Sequence, residues 1–250
     1  MQIIGAGRVG GALAAAARQR GIPCHLASRD AGWEAIESGS GPILVATRND
    51  DLPGIVQRVP ARRHDQLVFV QNGMLRPWLA SAGLSDATRG LLFFAVAARG
   101  APIQPGPPSP FTGPVAEQVV AFLRAIDVPA ELVSPAAFTD LEHEKLLWNT
   151  SFGLLCQALQ VPVGDVVRHH RDLLVDLVRE LDGVARHALD IGVELDTLVE
   201  KLCAYSLTIP DYQGAVKEWR WRNGWYVDVA AQYELPLPVH TRLCEQAGVG

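Results

Sequence analysis

The chain has 250 residues, 48% of them hydrophobic and 20% charged, which suits one large soluble domain or two moderate ones with real cores. Its formal net charge of -5 argues against nucleic acid or an anionic membrane as the main partner. The four cysteines, Cys24, Cys156, Cys203 and Cys244, are too widely spaced for a zinc motif or a disulfide framework and read as reduced thiols.

In chain order, Gln2 to Ile4 reads as the end of a buried strand. Gly5, Gly7 and Gly10 then form G-x-G-x-x-G, and Val9 to Gln19 reads as a helix. That strand-turn-helix context predicts dinucleotide binding. Gly5 permits the tight turn, Gly7 the approach of a pyrophosphate, and Gly10 close helix-strand packing. Ala6, Arg8 and Val9 complete the turn, whose free N–H groups and helix dipole favour phosphate. The reading without a ligand is a glycine-rich turn. No charged and apolar leader precedes the glycines and no apolar run reaches membrane-span length, so a cytoplasmic protein is expected.

CHLAS (24–28) predicts a second strand, GPILVAT (41–47) a third and QLVFV (66–70) a fourth. The second ends in Ser28 and Arg29 where an NAD-binding fold carries an acid, and a guanidinium beside a hydroxyl suits a 2′-phosphate. NADP is therefore favoured over NAD. Asp30 keeps NAD open, and Arg29 could equally be a solvated cation. Gln71-Asn72-Gly73 follows the fourth strand, where Asn72 either projects toward a cofactor or makes an Asn-Gly turn. LLFFAVA (91–97) is expected to continue the sheet. The proline-rich stretch 101–114 is expected to be a loop or a ragged edge hairpin around Phe111. Val115 to Ile126 then reads as a helix and Ala130 to Val133 as a last strand.

From Pro135 the pattern becomes helical, with helices expected over 138–160, 173–189, 196–205 and 212–233. The fold class predicted is α/β, an N-terminal Rossmann-type doubly wound parallel sheet over residues 1–134 followed by an all-α C-terminal domain over 135–250. In HEKLLWNTSFGLLCQALQ, Lys145 and Asn149 stand at i, i+4 on one face of a largely apolar helix. Gly153 on that stripe would admit a ring. Either the two polar side chains find partners, or Lys145 lies at the surface beside Glu142 and Glu144. Ser206 and Glu218 are unremarkable alone, as a helix-end hydroxyl and a solvated acid. His143-Glu144 lacks the second histidine of a zinc protease, so no metal is expected. His169 and His170 read as solvated. Trp219, Trp221 and Trp225, interleaved with Arg220 and Arg222, read as packing against another domain or subunit rather than as a nucleic-acid platform.

Together these residues resemble the ketopantoate reductase family along nearly the whole chain. The resemblance is carried by GAGRVG, Gln-Asn-Gly, the Lys-x-x-x-Asn of KLLWN, and Ser206 twelve positions before Glu218, which opens Glu-x-x-x-x-Asn-Gly with Asn223 and Gly224. It implies NADPH-dependent reduction of a small 2-oxo acid, ketopantoate in the family, on the route to pantothenate, within a cleft between domains. Lys145 is implied as general acid, with Glu218 orienting it and Asn72, Asn149 and Ser206 around the substrate. The partners implied are the oxo acid and, at most, a second copy of the chain. The chain departs from the family at Arg48, where a lysine is usual, at Val161 to Gly164, where an asparagine is expected, and at Leu207 to Pro210. These departures leave another oxo acid, a 3-hydroxy acid, an imine, or a cofactor-binding regulatory protein as alternatives.

Overall fold

The computed structural model describes residues 1–250. The chain divides into two compact units, Met1–Phe138 and Thr139–Gly250.

The first unit is a seven-stranded sheet: β1 Gln2–Ile4, β2 His25–Ala27, β3 Ile43–Val45, β4 Leu67–Phe69, β5 Thr88–Gly90, β6 Ser109–Thr112 and β7 Ala130–Leu132. Their spatial order is β2-β1-β3-β4-β5-β6-β7. Every neighbouring pair is parallel except β5 with β6. Ile4 pairs with Ala27 on one side and Val45 on the other. The chain therefore runs from β1 outward to β2 on one side and then crosses back past β1 to β3 on the other, and that reversal is the switch point at which open α/β sheets take ligands. Five helices connect the strands: α1 Arg8–Gln19, α2 Trp33–Ser38, α3 Leu52–Arg58, α4 Arg76–Ser81 and α5 Ala116–Ala125. One core joins the strands to α1 and α5, with Ile3, Leu13, Leu44, Val68, Phe111, Val119 and Leu123 fully buried. Apolar strands covered by helices are what a parallel sheet requires, and the expected fold class is observed.

Two expectations for this unit are overturned. The apolar run 91–97 is not a strand beyond a single bridge from Ala95 to Gln104; the fifth strand is Thr88-Arg89-Gly90. A Cβ on Gly90 would lie 2.1 Å from the Phe111 ring, so the strand forms where a large ring meets a bare backbone. Leu92 and Phe94 serve instead as packing against the core. The proline-rich stretch is not an edge, because β6 lies inside the sheet between β5 and β7. Pro110 accepts from the Leu91 N–H at 3.0 Å and has no N–H to return, so it costs the ladder one bond on the β5 side only. On the other side Ser109 donates to Pro129 and Phe111 accepts from Val133.

Arg63, just before β4, is 2% exposed and bonds no carboxylate. Its guanidinium donates to the carbonyls of Ala35, Ile36 and Gly41 and to Gln66 Oε1, tying the end of α2 to the approach to β3.

The second unit is helical: α6 Pro135–Leu159 (whose first turn precedes it), α7 Val163–His169, α8 Arg171–Ala185, α9 Leu195–Thr208, α10 Asn223–Gln232 and α11 Pro238–Ala247. On α8, Leu174, Leu177, Val178, Leu181, Val184 and Ala185 are buried at helical spacing, and this helix packs on α7, α9, α10 and α11. Trp221 and Trp225 belong to the buried set. The helix expected over 212–233 does not start at Tyr212. Residues 212–218 are irregular, Trp219–Trp221 form a 3₁₀ turn, and α10 begins only at Asn223. No helix is long and apolar enough to cross a membrane.

Candidate active site

In the first unit the glycine turn joins the carboxyl end of β1 to α1. Gly5 has φ +113°, and a Cβ there would lie 2.6 Å from the Ala46 carbonyl oxygen just beyond β3. A Cβ on Gly10 would lie 2.0 Å from the Gly5 oxygen and 3.0 Å from Ile3 Cγ2, so α1 sits on β1 at a distance only glycine allows. A Cβ on Gly7 would meet nothing within 4 Å. Open space at the middle glycine, and backbone against backbone at its neighbours, fit a pyrophosphate over the start of α1. Ala6 and Val9 are half-buried and Arg8 is exposed at that start.

The end of β2 is a built turn. Ser28 N–H donates to the Ala31 carbonyl, Trp33 Nε1 donates to the Ser28 carbonyl at 2.7 Å, and Gly32 has φ +81°. Arg29 and Asp30 are both exposed on it. Arg48 is exposed just past β3, before a 3₁₀ turn at Asn49–Asp51. After β4, Gln71 Nε2 donates to the Val45 carbonyl at 2.8 Å and so locks the strand end, while Asn72 is exposed. All of these positions follow the carboxyl ends of strands in one parallel sheet.

Two residues that hold this surface escaped the sequence reading. Asn49, 3% exposed, donates its Nδ2 to the Asn72 carbonyl at 2.9 Å and so fixes the Asn-Gly turn. Arg99 donates Nη2 to the Ala6 carbonyl at 2.7 Å and places a guanidinium on the glycine turn. The signal for Asn49 was its place directly after β3. For Arg99, 93 positions from its partner, there was none.

In the second unit, Lys145 lies half-buried on α6. Burial, and then the charge of Arg222, lower its ammonium pKa to about 8, while Glu218 opposes the shift. Asn149, one turn on, donates Nδ2 to the Lys145 carbonyl at 2.8 Å, leaving its Oδ1 and second N–H. Glu218 adopts the left-handed conformation at φ +50° and pairs with Arg222 at 2.6 Å. It therefore stands on an irregular turn, not on the helix expected there. Ser206, expected at the substrate, is fully buried. Its hydroxyl accepts from Trp148 Nε1 at 2.9 Å and donates to the Leu202 carbonyl at 2.8 Å. Trp148 in turn stacks on Phe152 and meets Tyr205 and Tyr212 at ring-centroid distances of 5.1 and 6.0 Å. Gly153 admits backbone rather than a ring, since a Cβ there would lie 2.8 Å from the Ala215 oxygen. His143 is fully buried and bonded to Asp182 at 2.8 Å, inside the helical core.

A parallel sheet with a bare glycine turn at its switch point, followed by a helical unit bearing a half-buried lysine, defines a Rossmann-type chain with an all-α second unit. Residues 137–249 match the family described as "Ketopantoate reductase PanE/ApbA C terminal". The resemblance read from the sequence is borne out over this region, which matches the C-terminal domain of the ketopantoate reductase family. Three solved structures share the fold. A PanE/ApbA family ketopantoate reductase from Ralstonia eutropha JMP134 has a TM-score of 0.76 at 17% identity, covering 99% of this chain and 97% of that one. D-mandelate dehydrogenase in complex with NADH also has a TM-score of 0.76, at 14% identity and the same coverage, and that enzyme is also known with NADH and anilino(oxo)acetate. A dimeric ketopantoate reductase from Staphylococcus aureus has a TM-score of 0.75 at 16% identity, covering 99% and 98%. No curated protein matches the sequence.

Proposed function

We propose that this chain is an NADPH-dependent reductase that converts a small 2-oxo acid, ketopantoate or a close relative, to the 2-hydroxy acid. Bound NADPH supplies a hydride to the carbonyl carbon of the oxo acid. Gly5, Ala6, Gly7, Arg8, Val9 and Gly10 bind the pyrophosphate through backbone N–H groups and the start of α1. Ser28 and Arg29 hold the adenosine end, and Arg48 and Asn72 border the same strand ends.

The carbonyl oxygen gains alkoxide character as the carbon is reduced. Lys145 stabilises that charge and gives its Nζ proton to the oxygen. An ammonium lowered to about 8 is still protonated at neutral pH and is a better donor than one at 10.5. Glu218 keeps the shift from going further and offsets Arg222, so that the proton stays on Lys145 until the oxygen needs it. Asn72 and Asn149 supply neutral amides to the substrate carboxylate without competing charge. Ser206 acts behind Trp148, whose ring it fixes.

The observation that carries this reading is Lys145 itself, half-buried one turn from Asn149 and electrostatically coupled to Arg222 and Glu218. Lys145→Ala should lower turnover with 2-oxo acids by several orders of magnitude while NADPH binding persists. Near-normal turnover in that variant removes Lys145 from the mechanism.

A second reading, a reductase of a different oxo acid, is favoured by Ser206 and its neighbours. The hydroxyl expected at a substrate carboxylate is occupied by an indole, and Tyr205 and Tyr212 beside it are about half exposed. D-mandelate dehydrogenase shares the fold and was solved with an aryl-bearing oxo acid derivative. NADPH oxidation measured across ketopantoate, pyruvate and phenylglyoxylate separates the two readings. A homodimer, as in the S. aureus enzyme, belongs to this proposal and is tested by solution mass.

A further inference from the structure

We infer that Arg58, at the end of α3, is a specificity residue for the 2′-phosphate of NADP, acting with Arg29. This rests on the dinucleotide reading proposed above but names a group that neither the glycine motif nor the end of β2 contains.

Arg58 Nη1 donates to the Arg29 backbone carbonyl at 3.1 Å, and its guanidinium lies over the Trp33 ring at 3.8 Å. Two fixed points hold it on the turn that follows β2. The platform beneath is itself rigid. Trp33 is 7% exposed and bonded through Nε1 to Ser28, and Gly32 takes a left-handed conformation in which a Cβ would lie 2.7 Å from the Leu26 oxygen. The turn Ser28–Trp33 thus carries two exposed guanidinium groups, Arg29 from its own sequence and Arg58 from α3. Neither bonds a carboxylate, although Asp30 is adjacent.

Two guanidinium groups carried by one ordered turn, neither bonded to a carboxylate, attract an anion bound on that turn. The position is that of the adenosine ribose in a fold whose pyrophosphate sits at Gly7. A 2′-hydroxyl has no charge to offer there, whereas a 2′-phosphate accepts several charge-assisted bonds from planar guanidinium donors. Arg58 is pre-ordered by Trp33, so little side-chain freedom is lost when it binds. Discrimination between the two cofactors therefore depends on Arg58 as much as on Arg29.

The test is equilibrium titration of NADPH and NADH, followed by nicotinamide fluorescence, on the full chain, Arg58→Met and Arg29→Ala. Methionine keeps an apolar stem over Trp33, so the turn retains its packing. The native chain should bind NADPH about 10-fold or more tighter than NADH. Arg58→Met should weaken NADPH by about 10-fold and leave NADH within about twofold. Weakening of both cofactors alike, or of neither, overturns the inference, as does a native chain that binds the two equally. A native chain that binds neither overturns the dinucleotide reading itself.

Discussion

Glycine positions 7 and 10 look equivalent in the motif but fail in different ways when substituted. Gly10→Ala puts a methyl 2.0 Å from the Gly5 carbonyl oxygen, both atoms belonging to rigid backbone. The helix must move off β1, and we expect a loss of about 2–4 kcal/mol of stability, read as a fall in denaturant midpoint. Gly7→Ala meets nothing, so the midpoint should stay within about 0.5 kcal/mol of native while NADPH affinity falls because the methyl occupies the phosphate's approach. At Lys145 the sign of the pH effect follows from the direction of its shift. The protonated amine is the acid, so kcat/KM for reduction should be flat below about 8 and fall about tenfold per unit above it. Glu218 raises this pKa and Arg222 lowers it. Glu218→Gln should therefore move the break to lower pH; an unmoved break would show that the two residues are uncoupled. The glycine turn was legible in the sequence because each of its requirements is local. Asn49, Arg58 and Arg99 were not, because each acts on a carbonyl more than twenty positions away.

Among the elements, what could be read depended on whether a segment's role matched its composition. β3 and β4 are short apolar runs buried on both faces, as is β1 apart from its polar, equally buried Gln2, and such runs say strand with little ambiguity. β5 is Thr-Arg-Gly, and its place in the sheet depends on Phe111 lying over Gly90, a pairing visible only once the chain is folded. Proline in an inner strand forfeits one ladder bond, and at Pro110 that loss falls on the β5 side while Ser109 and Phe111 keep the bonds to the β7 side. Glu218 misled through its backbone, since a left-handed glutamate breaks the helix its neighbours suggest. Arg63 holds the elements on either side of the 42–66 crossover. Arg63→Met removes the donors to three carbonyls, that of Ile36 buried and those of Ala35 and Gly41 partly so, while keeping the apolar bulk. Each orphaned carbonyl costs, but the large desolvation of the guanidinium is also relieved, so the net loss should be about 2–3 kcal/mol, or about 5–10 °C in Tm. An unchanged Tm would mean that water replaces the guanidinium.

For the molecule as a whole, acid is the condition that most directly tests the buried polar framework. His240 on α11 is 1% exposed. It has the Asn223 Nδ2 at 3.1 Å from its Nε2, Cys244 Sγ at 3.6 Å and the Trp219 ring alongside. Glu180 bonds the backbone N–H groups of Val239 and His240, where it caps the helix rather than the imidazole. Burial lowers the His240 pKa from 6.5 to about 4. The unfolded chain then binds a proton between pH 6.5 and about 4 that the folded chain refuses, so stability falls as pH drops through that window and is fully restored above 6.5. A shift of that size corresponds to about 3 kcal/mol by pH 4. Asp182 responds differently. Burial alone would raise its carboxyl, yet the hydrogen bonds from His143 and Arg186 outweigh burial and hold it below its ordinary value. Its contribution is therefore present above about pH 4 and lost only in stronger acid, which separates the two groups on a pH axis. Urea unfolding followed by tryptophan fluorescence should show the steepest change in midpoint between pH 6.5 and 4.5. In His240→Gln, which keeps a polar group of similar reach but cannot titrate, that slope should flatten even though the variant starts from a lower midpoint at pH 7. A slope identical to the native one would place the acid sensitivity elsewhere in the chain.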